Sequence, residues 1–318
     1  MVNSRVIGSF EGKEKGTLLF VFGGMHGNEP AGYKAIDLMI KMIEVEPITN
    51  PNFIFKGKII GLQGNLKAKR KGVRFIDEDL NRCWYKEKIE KINSISYDEL
   101  GAEEQEIKEI LETIHNEVRE YKPENIFVLD LHTTSSKGGI FTIVPDDLDT
   151  VKKSIQLNAP VILGLLKGVK GTSTEYFSKG ILGIHTTALT FESGNHNDVL
   201  SVNRAIAALT NLMTITGNFD KKHVENRHDK LLKEFSKGLP KLSQLIYKHK
   251  ISATDNFKMK PGYNNFQKIS KGELLAEDKN GFIFSEYDGR ILMPLYQKQG
   301  EEGFFIIKEI KSFNDCCK

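Results

Sequence analysis

The stretch Val21-Phe22-Gly23-Gly24-Met25-His26-Gly27-Asn28-Glu29-Pro30 decides how this chain is read. The run before it, residues 17–22, is apolar and of strand length. Two glycines then turn the chain, and His26 and Glu29 follow three residues apart. Pro30 opens a helical pattern in which Ile36, Met39, Ile40 and Ile43 fall on one face. Proline suits a first helical turn because its missing N–H would have no partner there.

Outward from this turn, the pattern repeats. Residues 58–62 form the next short apolar strand, and residues 64–84 read as a long charged loop. Residues 102–121 are the clearest helix: Ile107, Ile110, Leu111, Ile114 and Val118 make one stripe, and Pro123 ends it. Strand signals return at 125–131 and 140–144, and again at 186–191, where the run ends at Glu192. Residues 160–166 suit strand or helix, and 199–212 suit a helix. Such alternation predicts an α/β fold, a mainly parallel or mixed sheet flanked by helices. After about residue 218 the style changes. A polar segment with a helical pattern at 231–245 leads into short strands separated by Lys260-Pro261-Gly262, Ser270-Lys271-Gly272, Lys279-Asn280-Gly281 and Asp288-Gly289. The expected division is an α/β domain over 1–222, then a connecting helix and small all-β domain over 223–318 that borders the active site.

The 318 residues suit about two domains, and the composition is that of an ordinary globular protein. A net charge of +3 without a basic cluster gives no case for nucleic acid. A few placed arginines suit a small anionic substrate instead. Cys83, Cys316 and Cys317 form no disulfide framework, which fits a reducing compartment. Residues 1–16 lack the apolar core of a secretory signal, and no apolar run approaches the roughly 18 residues of a membrane span. A cytoplasmic protein is expected; its oligomeric state is not legible.

His26 and Glu29, at i and i+3 beyond a strand end, can turn towards one point outside the sheet. Zinc takes imidazole nitrogen and carboxylate oxygen at roughly 2.0–2.2 Å, and a catalytic site uses three protein ligands. His132, at the end of another strand, is the candidate third, since sites in open α/β sheets lie beyond the carboxyl ends of strands. A dinucleotide loop is the rival reading of the glycines. Their spacing is not Gly-x-Gly-x-x-Gly, and Glu29 would repel a pyrophosphate. Glu192, at a strand end before Ser193-Gly194, is placed to act as general base and then acid. His185 and His196 flank it; His185 has no evident role. The segment from Arg74 to Arg82 carries two arginines and Asn81 without periodicity. Guanidinium groups suit bidentate carboxylate recognition. The plainer reading is that its Asp and Glu residues neutralise the arginines locally.

Taken together, Gly24-Met25-His26-Gly27-Asn28-Glu29, Arg74-Phe75-Ile76-Asp77-Glu78-Asp79-Leu80-Asn81-Arg82, Asp130-Leu131-His132 and Glu192 resemble the succinylglutamate desuccinylase/aspartoacylase family, relatives of the zinc carboxypeptidases. Order and spacing match across about residues 17–195, and Met293-Pro294-Leu295-Tyr296 and Gly303-Phe304-Phe305 extend the likeness less specifically. The resemblance implies one zinc ion per chain on His26, Glu29 and His132, with Glu192 as general base and acid. It implies that Arg74 polarises the scissile carbonyl and that Asn81 and Arg82 hold a substrate carboxylate. The implied reaction is hydrolysis of an N-acyl amino acid to a carboxylic acid and a free amino acid.

This chain departs from the family pattern after Glu192, at Ser193-Gly194-Asn195-His196, and also before it. Aspartoacylase-like members carry a further arginine about ten residues before the catalytic Glu; here that region, Phe177-Ser178-Lys179-Gly180-Ile181-Leu182, has none. Lys179 is the candidate substitute. A C-terminal tyrosine reaches the site in some members, and Tyr287 and Tyr296 are the candidates. A metallocarboxypeptidase acting on peptide or cell-wall fragments is the alternative enzyme, and a binding protein without turnover is the rival from another class.

Overall fold

The structure is a computed structural model that describes residues 4–223 and 229–311. His228, Cys316, Cys317 and the side chain of His223 lie outside the described residues. The strands in chain order begin with β1 (Val6–Glu11), β2 (Glu14–Gly23), β3 (Lys56–Gln63), β4 (Asn125–Thr134) and β5 (Phe141–Ile143). Then come β6 (Val161–Leu163), β7 (His185–Asn195), β8 (Leu242–Lys250), β9 (Lys258–Met259) and β10 (Lys268–Ile269). The last four are β11 (Leu274–Asp278), β12 (Gly281–Phe284), β13 (Gly289–Leu292) and β14 (Glu302–Glu309).

An eleven-stranded mixed sheet runs in the order β1-β3-β2-β4-β7-β5-β6-β8-β14-β13-β10. Its centre is parallel: β3, β2, β4 and β7 all point the same way. Successive side chains on β2 face opposite ways, as strand geometry requires. Leu19 and Val21 pack into one core with Ile36, Met39, Ile40 and Ile43 of the Pro30–Thr49 helix and Leu209 and Leu212 of the Leu200–Ile215 helix. Leu18, Phe20 and Phe22 pack into a second core with Ile107, Ile110, Leu111 and Ile114 of the Ala102–Tyr121 helix. Both faces are therefore covered, and this is why the β2 run is apolar without alternation.

Two expectations need correction. Residues 231–245 are not one helix. The helix Asp229–Phe235 stops, Gly238 takes φ 76°, and β8 begins at Leu242. Pro240 disfavours helical backbone at Leu239, and residues from 242 on gain ladder pairing with β6 and β14. Nor is 64–84 wholly irregular: it holds the short helix Leu66–Lys71 and a 3₁₀ turn, Leu80–Arg82. Residues 160–166 divide between β6 and the start of a short helix, Leu165–Gly168. The main sheet continues across residue 222, because β8, β14, β13 and β10 extend it. Only β12, β11 and β9 form a separate small sheet. No helix among the described residues is long and apolar enough to cross a membrane.

Candidate active site

The C-terminal ends of three neighbouring parallel strands meet at one point. Gly23 of β2 lies opposite Leu131 of β4, and His132 of β4 lies opposite Glu192 of β7. Beyond β2 the chain reverses at Gly24, where φ is 74°, a left-handed value that glycine adopts without strain. Gly27 then passes so close to the backbone of Ala68 and Lys69 that a β-carbon would stand 2.2 Å from the Ala68 carbonyl carbon. The turn is also tied to its neighbours by Gly27 N–H donating to Arg74 O and Asn65 N–H donating to Gly24 O.

This delivers His26, Glu29 and His132 to one buried group. Glu29 Oε1 is 2.7 Å from His26 Nδ1, and Oε2 is 3.1 Å from His132 Nδ1. Thr133 N–H donates to the same Oε2 at 2.9 Å. The far nitrogens of the two rings face carboxylates: His26 Nε2 lies 3.0 Å from Asp79 Oδ1, and His132 Nε2 lies 3.0 Å from Asp130 Oδ2. Asp130 is itself held by the Ser173 hydroxyl at 2.6 Å. Both Nδ1 atoms are thus turned inward, each backed by a carboxylate that orients the ring, which is the support a metal-binding histidine usually has.

Electrostatics favour a cation here. Burial pushes the Glu29 carboxyl up, but His26 and His132 outweigh this and hold it well below the usual range. For Asp79 burial is likewise outweighed, by Arg74, His26 and Arg82, and the carboxyl stays ionised. Burial favours neutral His132, yet Asp130 and Glu29 raise its pKa well above the ordinary value. The ligand atoms all lie within 4.8 Å of one another, and the donor set of two imidazoles and a carboxylate is one that zinc accepts.

Glu192 stands beside this group. Burial, less the pull of His132, lifts its pKa to about 8, and its Oε2 has no hydrogen-bond partner among the described residues. Arg74 donates from Nε to Asp79 Oδ2 at 3.0 Å and places Nη1 3.6 Å from Glu29 Oε1. Asn81 accepts the Ser173 N–H, and Arg82 donates to Asn81 O and to Glu302 Oε2, the last at 2.7 Å. Glu103, on the Ala102–Tyr121 helix, shapes this loop by accepting from Ile76 N, Asp77 N and Asn65 Nδ2.

His26, Glu29, Arg74, Asn81, Arg82, His132, Thr133 and Glu192 line one cleft of about 770 Å³, its open mouth included. Its far wall comes from the C-terminal part of the chain: Met293, Leu295, Gln297, Gly300, Glu302 and Phe305. Hydrogen bonds that pin this wall include those from Asn28 to Gln297, from Arg74 N–H to Gln299, and from Tyr296 N–H to Ser135.

Lys179 is not brought to the cleft. It is exposed at the end of the Ser173–Ser178 helix and pairs with Glu175 one turn back at 2.8 Å. The two tyrosines also stay outside it. Tyr296 donates its hydroxyl to Lys260 O, and Tyr287 packs against Tyr247. His185 is exposed at the start of β7, whereas His196 Nδ1 is 2.7 Å from the Thr133 hydroxyl. Glu302, Gln297 and Thr133 were not legible as site residues. Asp130 carried a signal, since i and i+2 on a strand share a face with His132.

The structure is a mixed α/β fold with a buried imidazole–carboxylate centre at the ends of its parallel strands. A family model described as the succinylglutamate desuccinylase/aspartoacylase catalytic domain matches residues 15–209. The chain belongs to that family, one of amide-bond deacylases. It is 27% identical over 302 residues to a succinylglutamate desuccinylase of Pseudoalteromonas atlantica, covering 90% of this chain and 79% of that protein. It is 33% identical over 124 residues to a probable aspartoacylase of Nostoc sp., a match to 39% of this chain and 37% of that protein. The fold matches the crystal structure of the succinylglutamate desuccinylase from Chromobacterium violaceum with a TM-score of 0.61, at 20% identity, covering 96% of this chain and 88% of that one.

Proposed function

We propose that the chain is a zinc-dependent amidohydrolase that cleaves the linear amide of a small N-acyl amino acid. The observation that carries this reading is the buried His26–Glu29–His132 group with Glu192 and Arg74 beside it in one cleft. His26 and His132 would hold one zinc ion through Nδ1, with Glu29 as the third ligand, while Asp79 and Asp130 fix the ring orientations. Bound there, zinc supplies Lewis acidity to a carbonyl oxygen and to water.

The remaining work falls to the chain's own groups. Glu192 takes a proton from the attacking water as its oxygen bonds to the acyl carbon. It returns that proton to the departing nitrogen as the C–N bond breaks. A carboxyl with a pKa near neutrality can do both. Arg74 faces the charge that develops on the acyl oxygen, and its pairing with Asp79 holds it in place before substrate arrives. Asn81 and Arg82 receive the substrate's carboxylate.

The test is Glu192→Gln. Amine release from N-acyl amino acids should fall at least ~100-fold, the usual contribution of a general base, while zinc content by elemental analysis stays at one per chain. Full activity in that variant would sink the assignment.

A further inference from the structure

The cleft that this function requires is poorly made for a substrate with several carboxylates. Apart from histidines, its lining cations among the described residues are Arg74 and Arg82. Arg74 is committed to Asp79 and stands close to Glu29. Arg82 is half-buried and bound by Glu302, which β14 brings to the cleft from more than 200 residues along the chain. Any substrate carboxylate received by Arg82 must share it with Glu302, and Glu302 would repel a second charge nearby. Lys179, the candidate for an extra anion contact, is turned away on Glu175.

Much of the remaining lining is apolar. Ile143, Leu165, Leu166, Val169 and Phe305 face the cleft and belong to one packed core with Phe141, Ile162 and Ile307. Leu295 adds to this wall from the segment before β14. Side chains locked in a core form a preshaped surface, which favours an apolar group and offers no partner to a carboxylate.

We propose that the cleft selects N-acyl amino acids that carry a single carboxylate and an apolar group, at the expense of dicarboxylic ones, and that Glu302 is the specificity-determining residue. This inference rests on the hydrolase reading above.

The test uses the zinc-loaded full chain. Amine release is measured from N-acetyl-leucine, N-acetyl-phenylalanine and N-hexanoyl-glycine, and from N-acetyl-aspartate and N-succinyl-glutamate. The best apolar compound should exceed both acidic ones at least tenfold in kcat/KM. Equal or better cleavage of an acidic compound overturns the proposal. Glu302→Gln should raise the acidic-to-apolar ratio of kcat/KM about tenfold, and an unmoved ratio removes the role of Glu302. If no compound is cleaved, the same five are ranked by calorimetric binding. Tighter apolar binding then upholds the selectivity while the hydrolase reading fails; tighter acidic binding, or none at all, overturns the selectivity as well.

Discussion

Asp79 joins three parts of the centre. One carboxylate faces His26 Nε2, takes the Arg74 guanidinium, and accepts the Asn81 N–H at 2.9 Å. It therefore couples the orientation of His26, the proposed metal ligand, to that of Arg74. Replacing it by Asn keeps the shape and removes the charge that holds both cations. Asp79→Asn should weaken zinc binding 10–100-fold, as losses behind metal-bound histidines generally do, measured by competition with a chromogenic chelator. It should also lower kcat, because Arg74 loses its anchor. Unchanged affinity would mean that the His26–Asp79 contact is incidental.

At the scale of single elements, β8 joins the two parts of the chain. Its start pairs with β6 near the cleft, and its end carries His249 into the C-terminal core. There the His249 ring stacks flat on Phe304 at 4.9 Å between centroids and packs against Phe257. Burial lowers the His249 pKa below its ordinary value, against a weaker upward pull from Asp278, Asp255 and Glu286. An unfolded histidine titrates near ~6.5. Below that pH the unfolded chain binds a proton that the folded one refuses, so stability falls as pH drops towards the folded value. The melting temperature should be lower at pH 5 than at pH 7.5, with a smaller difference in His249→Phe. An equal difference in both proteins would place the acid sensitivity elsewhere.

Across the whole molecule, the centre is built from three strand ends, and an ion held there ties β2, β4 and the turn after β2 together. Binding to the folded state alone stabilises it, by about 2.7 kcal/mol when free ligand stands at 100 times its Kd. Chelator treatment should therefore lower the melting temperature and abolish hydrolysis, and added zinc should restore both. A melting temperature indifferent to chelator and to zinc would count against a resident ion. The cleft also depends on long-range closure, since the pairing of β14 with β8 and β13 helps bring its far wall to it.

The metal-ligand candidates and the α/β pattern were legible because their signals are local. A strand, two glycines, His26 and Glu29 lie within ten residues, and periodicity marked the helices on either side. Glu192 was visible as a carboxylate ending an apolar run. Parallel register then brought His132 and Glu192 side by side, which no local pattern states. Lys179 looked suitable by position along the chain, yet helix geometry gave it to Glu175. Glu302 gave no signal at all, because its meaning lies in a contact with Arg82 across 220 residues. The sequence by itself determined the family and the α/β fold, since motifs and periodicity are read over short spans. Only the tertiary structure decided which charges in the cleft remain free, because that depends on pairings between strands distant in the chain.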